Sequence, residues 1–380
     1  MRVGLFVTGL RFAMSYRPTT RLRLRLLRRR LGWWPWSRVC AWPAGSHNRS
    51  RTFRNAIWGD DLKLGRGSGN QFGARGFERS RRPDFDARPK RTFTHYARKS
   101  LARHRNNFYT KCEKLFAIVS PGRGLRVLMS EKLDWQDDIR RGFNRTIHTV
   151  EFGSITPESF GNFDLVVPLT IADLLRVRRS PSLLDKHPIP VPSERCILLC
   201  HDKYKFNQTL INAGFGRHIP KMGPGLAPPY ILKKRTGEWG QGCRMIRDRV
   251  EEHAARKQLN DPAFFCQEII RGPIEFATHI LFAEGRIVKS LNIMYEFESE
   301  TPIKGQDPDL YKIIHRCAYL DLFGSTLRAI GFQGLCSVNY KVAGGQPFLL
   351  EINPRFGGSL GPYFFSFIRH LNGSRRRVRQ

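Results

Sequence analysis

The chain has 380 residues, 41% of them hydrophobic, enough to build real cores in two or three modest domains and too many for a fibre or a solvated tail. Its formal net charge of +33 points first to nucleic acid or an anionic membrane surface as a partner. The charge is uneven, however: residues 1–123 carry +23, residues 124–370 only +6, and the last ten +4.

Eight cysteines without a repeated C-x-x-C indicate neither a disulfide framework nor a zinc cage, and they fit a reducing cytoplasm. Cys196, Cys200 and His201 cluster in CILLCH, but at helical rather than metal-ribbon spacing. No apolar run reaches the about 18 residues that a membrane span requires, and the opening VGLFVTGL is too short for a secretory signal.

In chain order, residues 1–122 are Arg-rich, acid-poor and interrupted by Gly, Pro and Ser, which predicts a basic extension of low order. Within it, RLRLRLLRRRLGWWPW at residues 21–36 could lie on a nucleic acid or an anionic membrane. It reads equally as a solvated tail, a targeting-like segment or an upstream extension. From Leu125 the pattern becomes α/β: LRVLMS, HTVEF and FDLVVPLT as buried strands with DWQDDIRRGFNR as a helix between the first two. After HPIPVPS, the run CILLC reads as a strand, and DKYKFNQTLINAG as a helix stopped near Gly214.

PYILKK then reads as a strand, GEWGQG as a turn and RDRVEEHAARKQL as a polar helix. FFCQEII, FATHILFAEGRIVKSLNIMYEF, CSVNYKVAG and QPFLLEI are predicted strands of an antiparallel sheet, turning at AEGR and AGGQ. Residues 310–330 are predicted to form the helix between them.

Three stretches carry chemistry. In PYILKKRTGEWGQG a strand delivers Lys233 to a loop holding Gly237, Gly240 and Gly242, a combination that offers a cation and approachable backbone N–H groups to a polyphosphate. It is not the P-loop pattern, and alone it would read as a hairpin with an exposed lysine. QEIIRGPIE sets Glu268 and Glu275 around a Gly-Pro turn, where they could meet a base edge and ribose hydroxyls or could be surface charges. FLLEINPRFGGSLG places Glu351, Asn353 and Arg355 on alternate positions, so one face carries two hard oxygen ligands and an arginine fork. Taken singly, this last stretch also reads as a strand end with a solvated charge pair.

Together, HDK (His201 to Lys203), Lys233, GEWGQG, QEII…E, NYK, LLEINPR and the closing GGS resemble, in order and spacing, the ATP-grasp superfamily over residues 200–361. The resemblance implies an α/β chain with an ATP-grasp fold, of the α+β grasp type, preceded by a small parallel α/β pre-grasp domain. The boundaries are 1–122 for the basic extension, 123–199 for the pre-grasp domain, 200–370 for the grasp domain and 371–380 for a basic tail.

It further implies that Lys203 and Lys233 hold ATP phosphates under a mobile loop containing Gly240 and Gly242. Glu268 would meet adenine and Glu275 the ribose. Glu351, Asn353 and Asn339 would hold Mg²⁺ or Mn²⁺, with Arg355 beside the transferred phosphoryl group. Asn339 stands where much of the family carries a carboxylate, and Lys234 where a proline is usual. The implied activity is an ADP-forming ligase that activates a small-molecule carboxylate as an acylphosphate and joins it to an amine. The alternative is a nucleic-acid or membrane-surface binding protein with a regulatory or catalytically decayed ATP-grasp module.

Overall fold

The structure, a computed structural model, describes residues 2–7, 10–15, 93–119, 124–144, 146–184, 189–238 and 240–371. The arginine-rich segment at 21–36 and the basic end from residue 372 lie outside them. The chain divides into two units, Met1–Glu78 and Arg79–Gln380. In the first, strands β1 (Arg2–Val7) and β2 (Leu10–Ser15) pair as an antiparallel hairpin with Leu5 opposite Phe12.

The second unit begins with a 27-residue helix, α1 (Phe93–Val119). It falls inside the stretch predicted to have low order, so that expectation is corrected here. The helix is held to the rest of the unit by polar contacts as well as packing: Arg98 pairs with Glu296 at 3.0 Å and Tyr109 Oη donates to Ser366 Oγ at 3.1 Å. A parallel sheet follows, ordered β4 (Thr149–Phe152), β3 (Arg126–Met129), β5 (Leu165–Val167). Helix α2 (Leu133–Phe143) covers one face with Trp135, Ile139 and Phe143. Helix α3 (Ile171–Arg179) starts where the Thr170 hydroxyl accepts the Asp173 N–H, a standard N-cap.

CILLC is helical, correcting the predicted strand: it lies in α4 (Glu194–His201), capped by Ser193 Oγ at the Cys196 N–H. Asp202 caps α5 (Lys203–Leu210) in the same way, at the Lys205 N–H. The chain leaves the following turn at Gly214, whose φ of 87° suits glycine.

Two antiparallel sheets complete the fold. The smaller is ordered β7 (Arg244–Ile246), β6 (Tyr230–Lys234), β8 (Phe264–Glu268), with α6 (Arg249–Ala254) between β7 and β8. The larger has five strands, in the order β11 (Asp309–His315), β10 (Arg286–Phe297), β9 (Ile274–Ala283), β12 (Gly334–Ala343), β13 (Gln346–Asn353). Residues 310–330 are therefore not one helix: β11 takes the first part and α7 (Leu320–Ala329) the last. Among the described residues no helix is long and apolar enough to cross a membrane.

The core explains the placement of the large sheet. One cluster joins Val127, Trp135 and Ile139 of the parallel region to Leu281, Ile293 and Phe356, so the two regions share a single apolar interior. On the other face Tyr340 stacks on Phe276 with ring centroids 5.0 Å apart and meets Phe323 edge-on at 4.9 Å. Such pairs add about 0.5–1.5 kcal/mol each beyond their burial.

Candidate active site

Strand β13 brings Glu351 into register with Asn339 of β12. Both neighbouring amides serve the carboxylate: Asn339 Nδ2 donates to Glu351 Oε1 at 2.9 Å and Asn353 Nδ2 to the same oxygen at 3.0 Å. Lys203, at the start of α5, lies 3.5 Å from Glu351 Oε2. Burial alone would raise the Glu351 carboxyl, but Lys203, the Asn353 amide, Lys233 and Lys304 outweigh it and hold it below the usual carboxylate range.

Lys233 projects from β6 and is 9% exposed; its ammonium donates to Gln267 Oε1 at 2.7 Å. Desolvation lowers its pKa, and Cys243, Glu351 and Glu275 only partly restore it. Gln267 is fully buried, and among the described residues its Nε2 has no partner. An orphaned donor beside a desolvated ammonium is an anion-seeking arrangement.

Lys304, from the connection between β10 and β11, pairs with Glu275 Oε1 at 3.2 Å and lies 4.0 Å over the Tyr295 ring. Lys341 of β12 is 5% exposed and donates to the Gly272 carbonyl at 2.6 Å. Lys203, Lys233 and Lys304 all lower the Glu351 pKa by their charge, and Glu275 pairs with Lys304.

Residues 200–359 match the model of the ATP-grasp domain family. The chain therefore contains an ATP-grasp domain. No curated protein matches it in sequence. Solved structures resembling it include an L-amino acid ligase from Bacillus licheniformis, at 17% identity over 65% of this chain and 71% of that one, with a TM-score of 0.46. A D-alanine–D-alanine ligase from Bacillus anthracis gives 15%, 67%, 97% and 0.46 on the same measures. A phosphoribosylamine–glycine ligase from Thermotoga maritima gives 15%, 65%, 75% and 0.49.

In the ATP-grasp domain the glycine-rich loop joins β6 to β7. Gly240 has φ 64°, and a Cβ there would come within 2.8 Å of the Lys304 carbonyl oxygen. Gly242 has φ 72°, and its Cβ would meet Lys234 Cβ at 2.8 Å. The loop lies against the far side of the cleft: Gln306 Nε2 donates to Gly240 O at 2.7 Å and to Cys243 O at 2.9 Å. Lys203 Nζ donates to Gly237 O at 2.6 Å.

Of the predicted site residues, Lys203, Lys233, Glu275, Asn339, Glu351 and Asn353 meet in or beside this charged cluster. Arg355 lies beyond the end of β13 and turns to the loop, its Nε and Nη2 donating to Glu238 Oε1 at 3.1 and 2.6 Å. Glu268 stands apart at the end of β8, where its carboxylate accepts the Lys221 N–H at 3.1 Å.

Sequence reasoning missed Lys304, Lys341, Gln267 and Glu238, which complete the cluster, and Lys132 and Trp135, which the parallel region contributes. Gln267 and Glu238 were visible as neighbours of predicted residues. Lys304 had no motif, since only the course of its loop brings it to Glu275.

A divalent metal is testable from the donors present. Glu351 is half-buried with its carboxyl held below the usual range, and Asn339 and Asn353, whose Nδ2 groups donate to it, carry amide oxygens of the kind a hard cation takes. Among the described residues no group of three His, Cys, Asp or Glu side chains could hold a metal. The set therefore fits Mg²⁺ only with nucleotide oxygens completing the shell, as Mg²⁺ is commonly bound.

Proposed function

We propose that this protein is an ATP-dependent, ADP-forming ligase acting on a small-molecule carboxylate and an amine. What carries the reading is the pairing of Lys203 with Glu351 beside the buried Lys233, next to a glycine-rich loop whose Gly237 carbonyl Lys203 also reaches, in a segment that matches the ATP-grasp domain family. The structures it resembles include ligases of amino acids and of phosphoribosylamine, which sets the range of substrates to screen.

In this reading the ammonium groups of Lys203 and Lys233 bind phosphate oxygens, exchanging the Gly237 carbonyl and the Gln267 amide for stronger charged acceptors. Glu351 with Asn339 and Asn353 would hold Mg²⁺, which supplies charge neutralisation at the β- and γ-phosphates. Glu275 and Lys304 face the ribose side, and Glu268 with the backbone after β8 faces adenine. Arg355 stabilises charge on the phosphoryl group as a carboxylate oxygen of the substrate takes it from ATP. The amine then displaces phosphate, and the closed loop keeps water from the acylphosphate.

The test is calorimetric titration of the full chain with ATP in the presence and absence of Mg²⁺, wild type beside Glu351→Ala. Magnesium-dependent binding that disappears in the variant supports the site. Folded wild-type protein that takes up no nucleotide rules the ligase reading out.

A further inference from the structure

Glu238, on the glycine-rich loop, meets two cations from two different parts of the chain. Its Oε1 accepts both Arg355 donors, and its Oε2 accepts Lys132 Nζ at 2.9 Å. Lys132 precedes α2 in the parallel region, whereas Arg355 follows β13 in the ATP-grasp domain. Both cations lie on one aromatic ring: Lys132 Nζ is 4.0 Å and the Arg355 guanidinium 5.2 Å from the centre of the Trp135 ring system. The side chain of Arg355 is 4% exposed and that of Lys132 16%.

Two cations this far from water need an anion between them. Glu238 supplies one, and it does so with its side chain alone, from a loop whose backbone is tethered separately through the Gly237, Gly240 and Cys243 carbonyls. Were the Glu238 side chain to turn away, Arg355 and Lys132 would face a vacated carboxylate position over an aromatic floor.

We propose that Lys132 and Arg355, over Trp135, form the subsite for the substrate's carboxylate, and that Glu238 is a resident carboxylate filling it until substrate arrives. The assignment rests on the ligase reading and adds to it the parallel region's own contribution to substrate choice. A carboxylate suits the subsite better than a nucleotide phosphate because the present occupant is one, with one oxygen on each cation. The lysines read as binding phosphate, 203 and 233, have other partners: Lys203 pairs with Glu351 and Lys233 donates to Gln267. The same contacts make Glu238 a competitive latch: its carboxylate holds both cations in the empty site and gives them up when an incoming carboxylate takes them over.

The experiment titrates the full chain with succinate as a carboxylate probe, followed by tryptophan fluorescence, with Trp135→Phe identifying the responding ring. Mg·ATP binding is measured separately on each protein. Lys132→Met is expected to weaken succinate about tenfold, Lys132→Arg to restore most of that loss, and Glu238→Gln to tighten succinate about fivefold by weakening the competitor. Thermal melts show whether each variant is folded, and Lys132→Arg keeps the question answerable if Lys132→Met is not.

Succinate affinity unmoved by Lys132→Met in folded protein overturns the subsite. Affinity unchanged or lowered in Glu238→Gln overturns the resident-carboxylate role. Because the succinate arm is also run without nucleotide, a response to these charges in protein that takes up no ATP upholds the subsite while removing the nucleotide reading.

Discussion

The large sheet packs Tyr340, Phe276 and Phe323 on one face and Leu281, Ile293 and Phe356 on the other. The sheet β7–β6–β8 closes on a cluster of only Tyr230, Leu232, Ile246 and Ala255. Both deliver groups to the same cleft, so their difference in packing sorts the site into fixed and movable parts. Glu351 and Asn339 ride on strands set by aromatic packing and cannot shift without disturbing a core. The glycine-rich loop is held by polar contacts through Glu238, Gln306 and the Gly237 carbonyl, and such contacts exchange readily with water or ligand.

The sharpest way to break this contrast is in the cores. Tyr340→Ala should remove roughly 3–5 kcal/mol of global stability, read as a lower urea midpoint. Leu232→Ala should act first on the small sheet, accelerating amide exchange in β6–β8 ahead of β9 and β12. Equal, simultaneous loss of protection in both sheets would show that they are one cooperative unit.

Arg355→Met comes next. Once a substrate pair is found, it should reduce kcat by roughly 10²-fold with a smaller change in ATP affinity, and a loss confined to ATP affinity would move Arg355 from the reacting group to the nucleotide. Gly242→Ala forces a side chain into positive φ against Lys234 and should cost about 1 kcal/mol. It should slow turnover while leaving the melting temperature of the large sheet nearly unchanged, and a large global destabilisation would mean that the loop is part of the core.

The smallest effect is in pH. Burial would raise the Glu238 carboxyl, but Arg355 and Lys132 hold it below its ordinary value of 4.5. A carboxylate whose folded pKa is depressed stabilises its contacts fully above the ordinary value and ceases to do so as pH falls through the lowered one. Loop protection from proteolysis should thus be level above pH 4.5 and decline below it. Protection that rises on acidification would contradict the latch.

Much of this was readable in advance where local pattern and tertiary role agree. Alternation at Glu351 and Asn353 survived because β13 is a true strand there, and Gly214 ended its helix as glycine at positive φ does. CILLC failed because its apolar run concealed a start signal, Ser193 followed by Glu194, that the helix uses. The stretch at 310–330 failed because β11 is an edge strand with a mixed pattern, and helix α1 because basic composition masks helical order. Lys304 and Lys132 were beyond any local rule, since each is placed by a connection whose path the whole fold determines.

The amide of Asn106 in α1 accepts the Ile314 N–H at 2.9 Å and donates to the Lys312 carbonyl at 3.1 Å, imitating the next strand beside β11. An open strand edge is a template for pairing with another copy of the chain. A side chain that takes up two of the edge's hydrogen-bonding groups, but offers no further edge, stops the ladder there. Helix α1 thus covers the β11 edge around residues 312–314, and removing it would bare backbone groups open to pairing with another copy of the chain.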